Sequence, residues 1–285
     1  MGNEIYISSL AFSGKPVEEM IATVKKHSWA LEFSSGIPYR PEMESIYLDA
    51  PIKKIPHNYF PAPKEPFVLN LASINESIRN QSIAHCKKGL WLSQQSAAPF
   101  FSAHAGFCID PDPNQLGRKI EYKQDFNKTE NKRLFIESIS TILQTAEELG
   151  VDFLIENNVI ASFNLTASKD NPFLCCESAE IKWLFNKLNN SRLGLLLDTA
   201  HLKVSCQTLD LQIDKEIGNL LPFVKAIHHS DNEGLVDDNQ ELKNNYWFLP
   251  YMTTIDQSIV HVIEVKNIST NMIEKQINLL ISNGR

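Results

Sequence analysis

The sequence predicts a closed barrel of eight parallel strands with intervening helices, the (β/α)8 or TIM-barrel architecture. Apolar, strand-like runs alternate with segments of helical periodicity along the 285 residues, which is the pattern of β/α folds. The length is close to the roughly 250 residues typical of such barrels. The motifs GxGxxG and GxxxxGK[ST] are both missing, so the sequence predicts neither a Rossmann cofactor site nor a P-loop.

The order of the elements follows from these runs. We expect strands at residues 5–12, 30–34, 54–60, 100–104, 151–155, 193–197, 224–227 and 259–263. Helical periodicity predicts helices at 17–27, from about 74, and at 128–149, 177–188, 210–221 and 270–281. Residues 244–252 are aromatic and irregular, so the helix before the last strand is not defined. Because no linker, repeat or low-complexity tract interrupts the chain, we expect residues 1–285 to form one domain.

Composition excludes several classes of protein. Hydrophobic residues make up 43% and charged residues 21% of the chain, which is ordinary globular composition. The net charge of −7 and a pI near 5.6 argue against non-specific binding to nucleic acid or to anionic lipid. There is no signal-peptide pattern and no apolar run of the ~18 residues that a membrane span requires. Five cysteines without zinc-finger or redox-motif spacing favour a reduced, cytoplasmic setting.

Ionisable side chains follow four consecutive predicted strands. Glu156, Asp198, His228 and Glu264 each stand at the end of an apolar run. The carboxyl ends of barrel strands meet at one mouth, where the active site of a TIM barrel lies, so these four side chains are expected to converge. Taken singly, each has an ordinary alternative as a helix N-cap or a loop hydrogen-bonding group.

Convergence of three carboxylates and one imidazole predicts a divalent metal site. Several desolvated carboxylates at one place need a cation or shared protons. Mainly oxygen ligands suit manganese, magnesium, cobalt or zinc rather than copper, and ligand type alone does not choose among the four.

Four further residues extend this set. His57 and His104 also end strand-like runs, which makes them candidates for contact with the substrate, although a lone histidine there is often a core or loop residue. His201 lies three residues after Asp198, and Lys266 lies two residues after Glu264. Both are candidates to polarise a substrate oxygen, and both are also ordinary hydrogen-bonding residues.

In this order the motifs resemble those of the xylose isomerase-like TIM barrels, a superfamily of sugar isomerases, sugar epimerases and apurinic-site endonucleases of the endonuclease IV type. The resemblance extends from about His57 to Glu264 and rests on HNYFPAP, NLAS, SAHAG, LIEN, GLLLDTAHL, HHSDNEG and VIEVKN. It implies that Glu156, Asp198, His228 and Glu264 hold a catalytic metal. It also implies that His57 and His104 can support a second ion and that His201 lies beside the site.

One departure from the family pattern separates the possible functions. The nucleases have an Asp-x-His pair after strand seven, whereas this chain reads VDDNQELKNN, with Asn239 where the histidine is expected. A complete three-metal phosphodiesterase site is therefore not expected, and nucleic acid is not the expected partner.

We expect a metal-dependent isomerase or epimerase of a small polyhydroxy substrate, a sugar or sugar phosphate. In this mechanism Glu156 and Glu264 act as base and acid around an enediolate. The alternatives are an apurinic-site endonuclease or other hydrolase, a lyase, and a metal-stabilised protein without turnover.

Substrate identity depends on the loops at 36–51, 108–125, 161–176 and 234–252, which sequence alone does not interpret. The last of them carries the aromatic cluster Tyr246, Trp247, Phe248 and Tyr251. This cluster is compatible with a subunit contact in a homo-oligomer, with a substrate lid, or with buried packing.

Overall fold

Eight parallel strands alternate with helices in the computed structural model, which describes residues 4–104, 106–121 and 126–284. The strands are β1 (Ile5–Ser8), β2 (Ala30–Phe33), β3 (Lys54–Pro56), β4 (Phe100–His104), β5 (Asp152–Glu156), β6 (Leu193–Asp198), β7 (Val224–His229) and β8 (Val260–Ile263). The helices are α1 (Val17–His27), α2 (Met43–Asp49), α3 (Glu76–Gln95), α4 (Lys128–Leu149), α5 (Ser178–Leu188), α6 (Thr199–Leu209), α7 (Ile213–Leu220) and α8 (Thr270–Asn283). The predicted β/α barrel is confirmed.

The strand order is β3-β2-β1-β8-β7-β6-β5-β4, so β3 and β4 are the two edges of the sheet. A single parallel bridge between His57 and Ser102 joins these edges. There the backbone N–H of Asn58 donates to the carbonyl oxygen of Ser102 at 2.7 Å, and His57 Nδ1 lies 2.8 Å from Ser102 Oγ. The barrel is therefore nearly closed, with a seam between β3 and β4.

Two layers of apolar side chains hold the barrel together. A small cluster fills its interior, and a larger one packs the outer face of the sheet against the helices. The interior cluster takes one or two residues from each of the eight strands, among them Tyr6, Ile55, Leu154 and Leu196. Strand residues alternate between the two faces, so the positions two residues further along also face the interior.

The predicted first and third strands are too long. Strand β1 ends at Ser8, and Ser9–Phe12 form a 3-10 helix. There the hydroxyls of Ser8 and Ser9 lie 3.0 and 2.9 Å from Ser34 Oγ, which ties the turn to the end of β2. Strand β3 ends at Pro56 because Asn58 has φ of 47°, a left-handed conformation that does not continue a strand.

Two helices were not predicted from the sequence. Helix α2 lies in the proline-rich stretch after β2, and α6 follows β6 with no intervening turn. Helix α6 begins directly because Asp198 is its N-cap and accepts a hydrogen bond from the backbone N–H of His201. It ends at Leu209 because the next residue, Asp210, has φ of 55°, and the helix predicted at 210–221 starts only at Ile213.

The aromatic segment before β8 is mainly packed inside. Tyr246 and Phe248 are buried, and the Tyr246 hydroxyl donates to Thr199 Oγ1 at 2.6 Å. Residues Leu249–Thr254 form a 3-10 helix in place of a regular crossover helix. Within the described ranges, no helix combines the length and apolarity needed to cross a membrane.

Candidate metal centre

Strand alternation carries the four predicted metal ligands into the barrel mouth. Each stands two residues after an interior apolar residue: Leu154, Leu196, Ala226 and Val262 precede Glu156, Asp198, His228 and Glu264, respectively. The four side chains each offer a ligand atom within 4.8 Å of the others. The convergence expected from the sequence is thus present in the geometry.

His228 lies at the centre of this group. Its Nδ1 is 2.9 Å from Glu264 Oε2, 3.5 Å from Glu156 Oε1 and 3.8 Å from Asp198 Oδ2. Glu156, Asp198 and His228 are essentially excluded from solvent, whereas the Glu264 side chain is 14% exposed. One imidazole nitrogen therefore faces three carboxylates in a desolvated environment.

Three atoms of this group fit a cation because hydrogen bonding leaves them unsatisfied. Glu156 Oε2, Asp198 Oδ2 and His228 Nδ1 are buried, and none has a well-formed hydrogen bond to a described residue. Leaving a buried carboxylate oxygen unpaired is costly, whereas a divalent ion satisfies several such atoms at once. The donor set, three carboxylates and one imidazole, is suited to a hard or borderline divalent ion.

The pKa shifts of the metal-free group reflect opposing effects of burial and of neighbouring charges. Burial, together with the nearby carboxylates of Glu264, Asp237 and Glu156, outweighs the opposing effect of His201 and raises the pKa of Asp198 well above its ordinary range. Burial also opposes ionisation of Glu156, but the neighbouring imidazoles of His104, His57 and His228 outweigh it and hold the pKa of Glu156 well below its usual value. Burial opposes the charged form of His228, yet the carboxylates of Glu32 and Glu264 raise its pKa. Without a metal, protons thus supply part of the positive charge that a bound divalent ion would supply.

A second group adjoins the first at Glu156. His57 Nε2 and His104 Nδ1 lie 3.3 and 3.4 Å from Glu156 Oε2, and the three residues form another candidate ligand set. Burial lowers the pKa of His57 to about 3 and also lowers the pKa of His104, so both imidazoles are neutral at physiological pH, the form that binds metals. The structure therefore brings both predicted histidines to the mouth.

Comparison with known families agrees with this geometry. The family model described as the xylose isomerase-like TIM barrel matches residues 9–256. The chain belongs to the xylose isomerase-like TIM barrel family. A search of curated proteins gave no significant match.

Solved structures similar to this xylose isomerase-like barrel include sugar epimerases and a nuclease-family protein. A D-tagatose 3-epimerase-like protein has a TM-score of 0.73 and 18% identity, with 98% of this chain and 96% of that chain covered. D-psicose 3-epimerase with D-tagatose from Clostridium cellulolyticum H10 has a TM-score of 0.64 and 16% identity, with 99% and 92% covered. AP endonuclease, family 2, from Brucella melitensis has a TM-score of 0.64 and 14% identity, with 96% of each chain covered. At these identities the likeness shows the fold.

Sequence reasoning missed Glu32, a buried carboxylate that contacts a candidate ligand of this xylose isomerase-like barrel. Glu32 lies on β2 with no exposed side-chain surface, and its Oε2 is 2.8 Å from His228 Nε2. A carboxylate on the second nitrogen fixes the orientation of a metal-binding imidazole and increases its basicity. The signal in the sequence was a charged residue within the apolar run ALEF.

Glu32→Gln is expected to weaken divalent-metal affinity by roughly 10- to 100-fold, because the amide no longer supplies the negative charge that orients His228 and increases its basicity. Metal titration of the dialysed protein measures this effect. The exposed Glu148→Gln is the matched control and should bind metal like the wild type. Wild-type affinity in the Glu32 variant would show that His228 needs no such partner.

His201 stands beside the predicted ligands, as expected from the family resemblance. Its Nδ1 lies 2.8 Å from the carbonyl oxygen of Asn157, and its Nε2 lies 3.2 Å from Asp237 Oδ2. Burial disfavours the charged form, but Asp198 and Asp237 outweigh this effect and raise the pKa of His201 well above its ordinary value. The sequence gave no reason to single out Asp237, which lies in an acidic loop.

Lys266 and Asn239 do not line the cavity at the barrel mouth. The Lys266 side chain is exposed and lines a surface depression with Asn239, Gln240 and Glu241. Asn239 Nδ2 is 3.5 Å from Ser230 Oγ, and the Asn239 carbonyl accepts a hydrogen bond from the backbone N–H of Lys266. The cavity at the mouth is lined instead by His104, His201 and Asp237.

Proposed function

We propose that this protein is a divalent-metal-dependent isomerase or epimerase of a sugar or related polyhydroxy carbonyl compound. The observation that carries the proposal is the position of two glutamates. Glu156 and Glu264 reach the same nitrogen of His228 from β5 and from the end of β8. Two carboxylates that approach one point from different sides of the barrel suit removal of a proton from one face of a substrate carbon and delivery to the other.

The metal-binding group would be Glu156, Asp198, His228 and Glu264. A bound zinc, manganese, magnesium or cobalt ion would supply Lewis-acid polarisation of adjacent carbonyl and hydroxyl oxygens. The pKa of Glu156 is held well below its usual value, so the carboxylate is ionised at neutral pH, and its Oε2 has no well-formed hydrogen bond that would keep it from accepting a proton. Glu264 is the more exposed of the pair, with 14% of its side-chain surface accessible. In epimerisation the two carboxylates exchange the roles of base and acid as the substrate passes through an enediolate.

The histidines at the cavity floor complete this chemistry. His201 carries a proton at neutral pH, because Asp198 and Asp237 raise its pKa, and so it can donate a hydrogen bond to an oxygen that gains negative charge. His104 is neutral and 29% exposed, so it can donate to or accept from a substrate hydroxyl. Lys266, which also was a candidate for this role, lines a separate surface depression and does not line this cavity.

Family membership and the epimerases among the similar structures support the proposal at the level of reaction class. The direct test is a screen of ketoses, aldoses and their phosphates with protein of known metal content, scored for conversion and for exchange of the hydrogen next to the carbonyl with solvent. Conversion with solvent exchange is the expected result. A hydrolysis product without isomerisation would instead favour the hydrolase alternative.

No efficient cleavage of abasic DNA is expected. This chain has Asn239 where the nucleases are expected to have a histidine of their third metal position. Its net charge of −7 also disfavours binding to the phosphate backbone of DNA. The assay is nicking of an abasic duplex at physiological salt with added zinc or manganese, with an undamaged duplex as control. Asn239→His alone should not create activity, because it adds no basic surface. Robust metal-dependent nicking by the wild type would replace the isomerase proposal with the nuclease one.

A further inference from the structure

A cavity of about 320 Å³ opens next to the candidate metal centre. Its polar part contains His104 and His201, which also contact Glu156, so the cavity and the ligand group are continuous. Asn58, Asn158 and Asp237 complete this polar floor. A bound substrate would therefore place its reacting carbon at the floor and the rest of its length along the walls.

The polar floor is complementary to hydroxyl groups. Asn58 Oδ1 and Asp237 Oδ1 are buried atoms with no hydrogen-bond partner among the described residues. Both are acceptors, so they require donors such as sugar hydroxyls, whereas the oxygens of a phosphate dianion would be repelled by the carboxylate.

The one cationic side chain of the described lining is His201, and it is already paired with Asp237 at 3.2 Å, which leaves no free cation there to hold a phosphate. Asp237 is the one carboxylate there, and neither lysine nor arginine contributes. Arg118 and Lys119 are exposed beside the wall without lining the cavity, and residues 122–125 of the same loop lie outside the described part of the chain. Enzymes that select a phosphorylated substrate normally place Arg, Lys or a helix N-terminus on the phosphate. The described lining thus favours a neutral substrate.

The opposite wall is apolar and includes side chains that would ordinarily be buried. Leu116, Phe163 and Val236 line the cavity and are 38%, 37% and 41% exposed, respectively. Exposed apolar side chains around a concave site indicate a surface that a ligand covers. Phe107 and Phe173 also line the cavity and pack edge to face with ring centroids 5.1 Å apart.

The apolar wall is held in place by hydrogen bonds between two loops. Asn164 Oδ1 accepts a hydrogen bond from the backbone N–H of Ile120 at 2.8 Å, and Asn164 Nδ2 donates to the carbonyl of Arg118 at 3.2 Å. The backbone N–H of Cys108 donates to the Pro172 carbonyl at 2.7 Å. A separate buried apolar cluster, which includes Phe107, Ile120 and Phe173, supports the wall from beneath. These contacts fix the wall before a ligand binds.

We propose that the preferred substrate is a neutral polyhydroxy carbonyl compound that carries an apolar substituent, such as an aromatic or alkyl aglycone, and that free sugars and sugar phosphates bind less tightly. The polyhydroxy part occupies the floor beside His104 and His201, and the substituent covers Leu116, Phe163 and Val236. The inference rests on the proposed function for the carbonyl chemistry, but the assignment of the apolar wall is independent of turnover.

The test is equilibrium binding of three probes to the metal-loaded protein by calorimetry: phenyl β-D-glucoside, glucose and glucose 6-phosphate. The glucoside is expected to bind about tenfold or more tightly than glucose, because its ring removes the wall from water, and glucose 6-phosphate no more tightly than glucose. Equal affinity for glucose and the glucoside, or preference for the phosphate, would overturn the inference.

Variants of the apolar wall test whether this surface causes the preference for the glucoside. Phe163→Ala and Leu116→Ala should each weaken glucoside binding by a factor of about three to ten while leaving glucose binding unchanged. Both side chains are partly exposed, so the fold should tolerate their loss. Ile281→Ala is the matched control, since Ile281 is 61% exposed and lies at the other end of the barrel, beside Ile5 and Ala30. Unchanged glucoside affinity in both wall variants would remove this wall from the substrate site.

The binding results test the substrate class, whereas the turnover results test the proposed isomerase function, so either proposal can fail without the other. Because phenyl glucoside has no free carbonyl, it reports binding only: glucoside preference together with no conversion in the screen of ketoses and aldoses would keep the substrate class and reject the isomerase. Isomerisation of free sugars without glucoside preference would keep the isomerase and reject the apolar wall as a binding surface.

Discussion

Asp198→Asn is expected to lose most of the divalent metal that the purified wild-type protein carries, about one or two equivalents. Asp198 Oδ1 accepts the N-cap hydrogen bond of α6 from His201 at 2.7 Å, whereas Oδ2 has no hydrogen-bond partner among the described residues. Asparagine keeps the first oxygen and replaces the second with an NH2 group, which cannot bind a metal. Elemental analysis after dialysis measures the loss.

Thermal unfolding separates loss of metal from loss of fold. Burial opposes ionisation of Asp198 in the metal-free protein, and its Oδ2 has no hydrogen-bond partner among the described residues, so a neutral amide of the same size should be tolerated there. In EDTA the variant and the wild type should therefore unfold at similar temperatures. With metal at a hundredfold excess over Kd, the wild type should gain about 2.7 kcal/mol and the variant much less.

Asp152→Asn is the matched control for this experiment. Asp152 begins β5 at the opposite end of the barrel, where it pairs with Arg192 and Lys225, and its loss should leave metal content unchanged. An Asp198 variant that binds metal with wild-type affinity would exclude the proposed centre.

Glu156→Gln and Glu264→Gln are each expected to lower turnover by a factor on the order of a hundred or more. Glutamine keeps the size of the side chain and one oxygen ligand but removes the basic oxygen. With wild-type protein, the reaction in deuterium oxide should label the carbon next to the carbonyl, because a carboxylate that exchanges with solvent removes its hydrogen. The label is read by mass spectrometry or NMR.

Metal content must be measured beside the rate, because both glutamates belong to the ligand group. Glu216→Gln is the control: Glu216 is also buried, and its carboxylate accepts a hydrogen bond from the backbone N–H of Ser178, far from the metal group. Near-wild-type turnover in both site variants would contradict the paired-glutamate mechanism. Conversion with complete retention of the substrate hydrogen would replace it with a hydride shift.

The barrel and its candidate ligands were predictable because both follow from local patterns. Apolar runs define the strands, and the residue that ends each run lies at the mouth, so Glu156 and Asp198 could be placed without knowledge of any contact. Helix α6 was missed because its N-cap is itself a candidate ligand, Asp198, and no turn residue separates strand from helix.

The partners of the ligands were not predictable in the same way. Glu32 and His228 are 196 residues apart in sequence, and their contact exists only because β2 and β7 lie across the barrel from each other. Asp237 looks like any acidic loop residue until the fold places it 3.2 Å from His201. The apolar wall likewise requires two loops to meet, which neither loop shows alone.

The seam between β3 and β4 is where we expect the barrel sheet to open most easily. Neighbouring strands elsewhere share at least three register pairs, whereas these two edges meet at the His57–Ser102 bridge. Local opening costs least where the fewest backbone hydrogen bonds must break. His57 and His104 stand on opposite lips of that seam, so separating the strands would pull the two imidazoles apart. A ligand bound by both imidazoles would link β3 to β4, so local opening of the barrel at this seam would depend on whether the mouth is occupied.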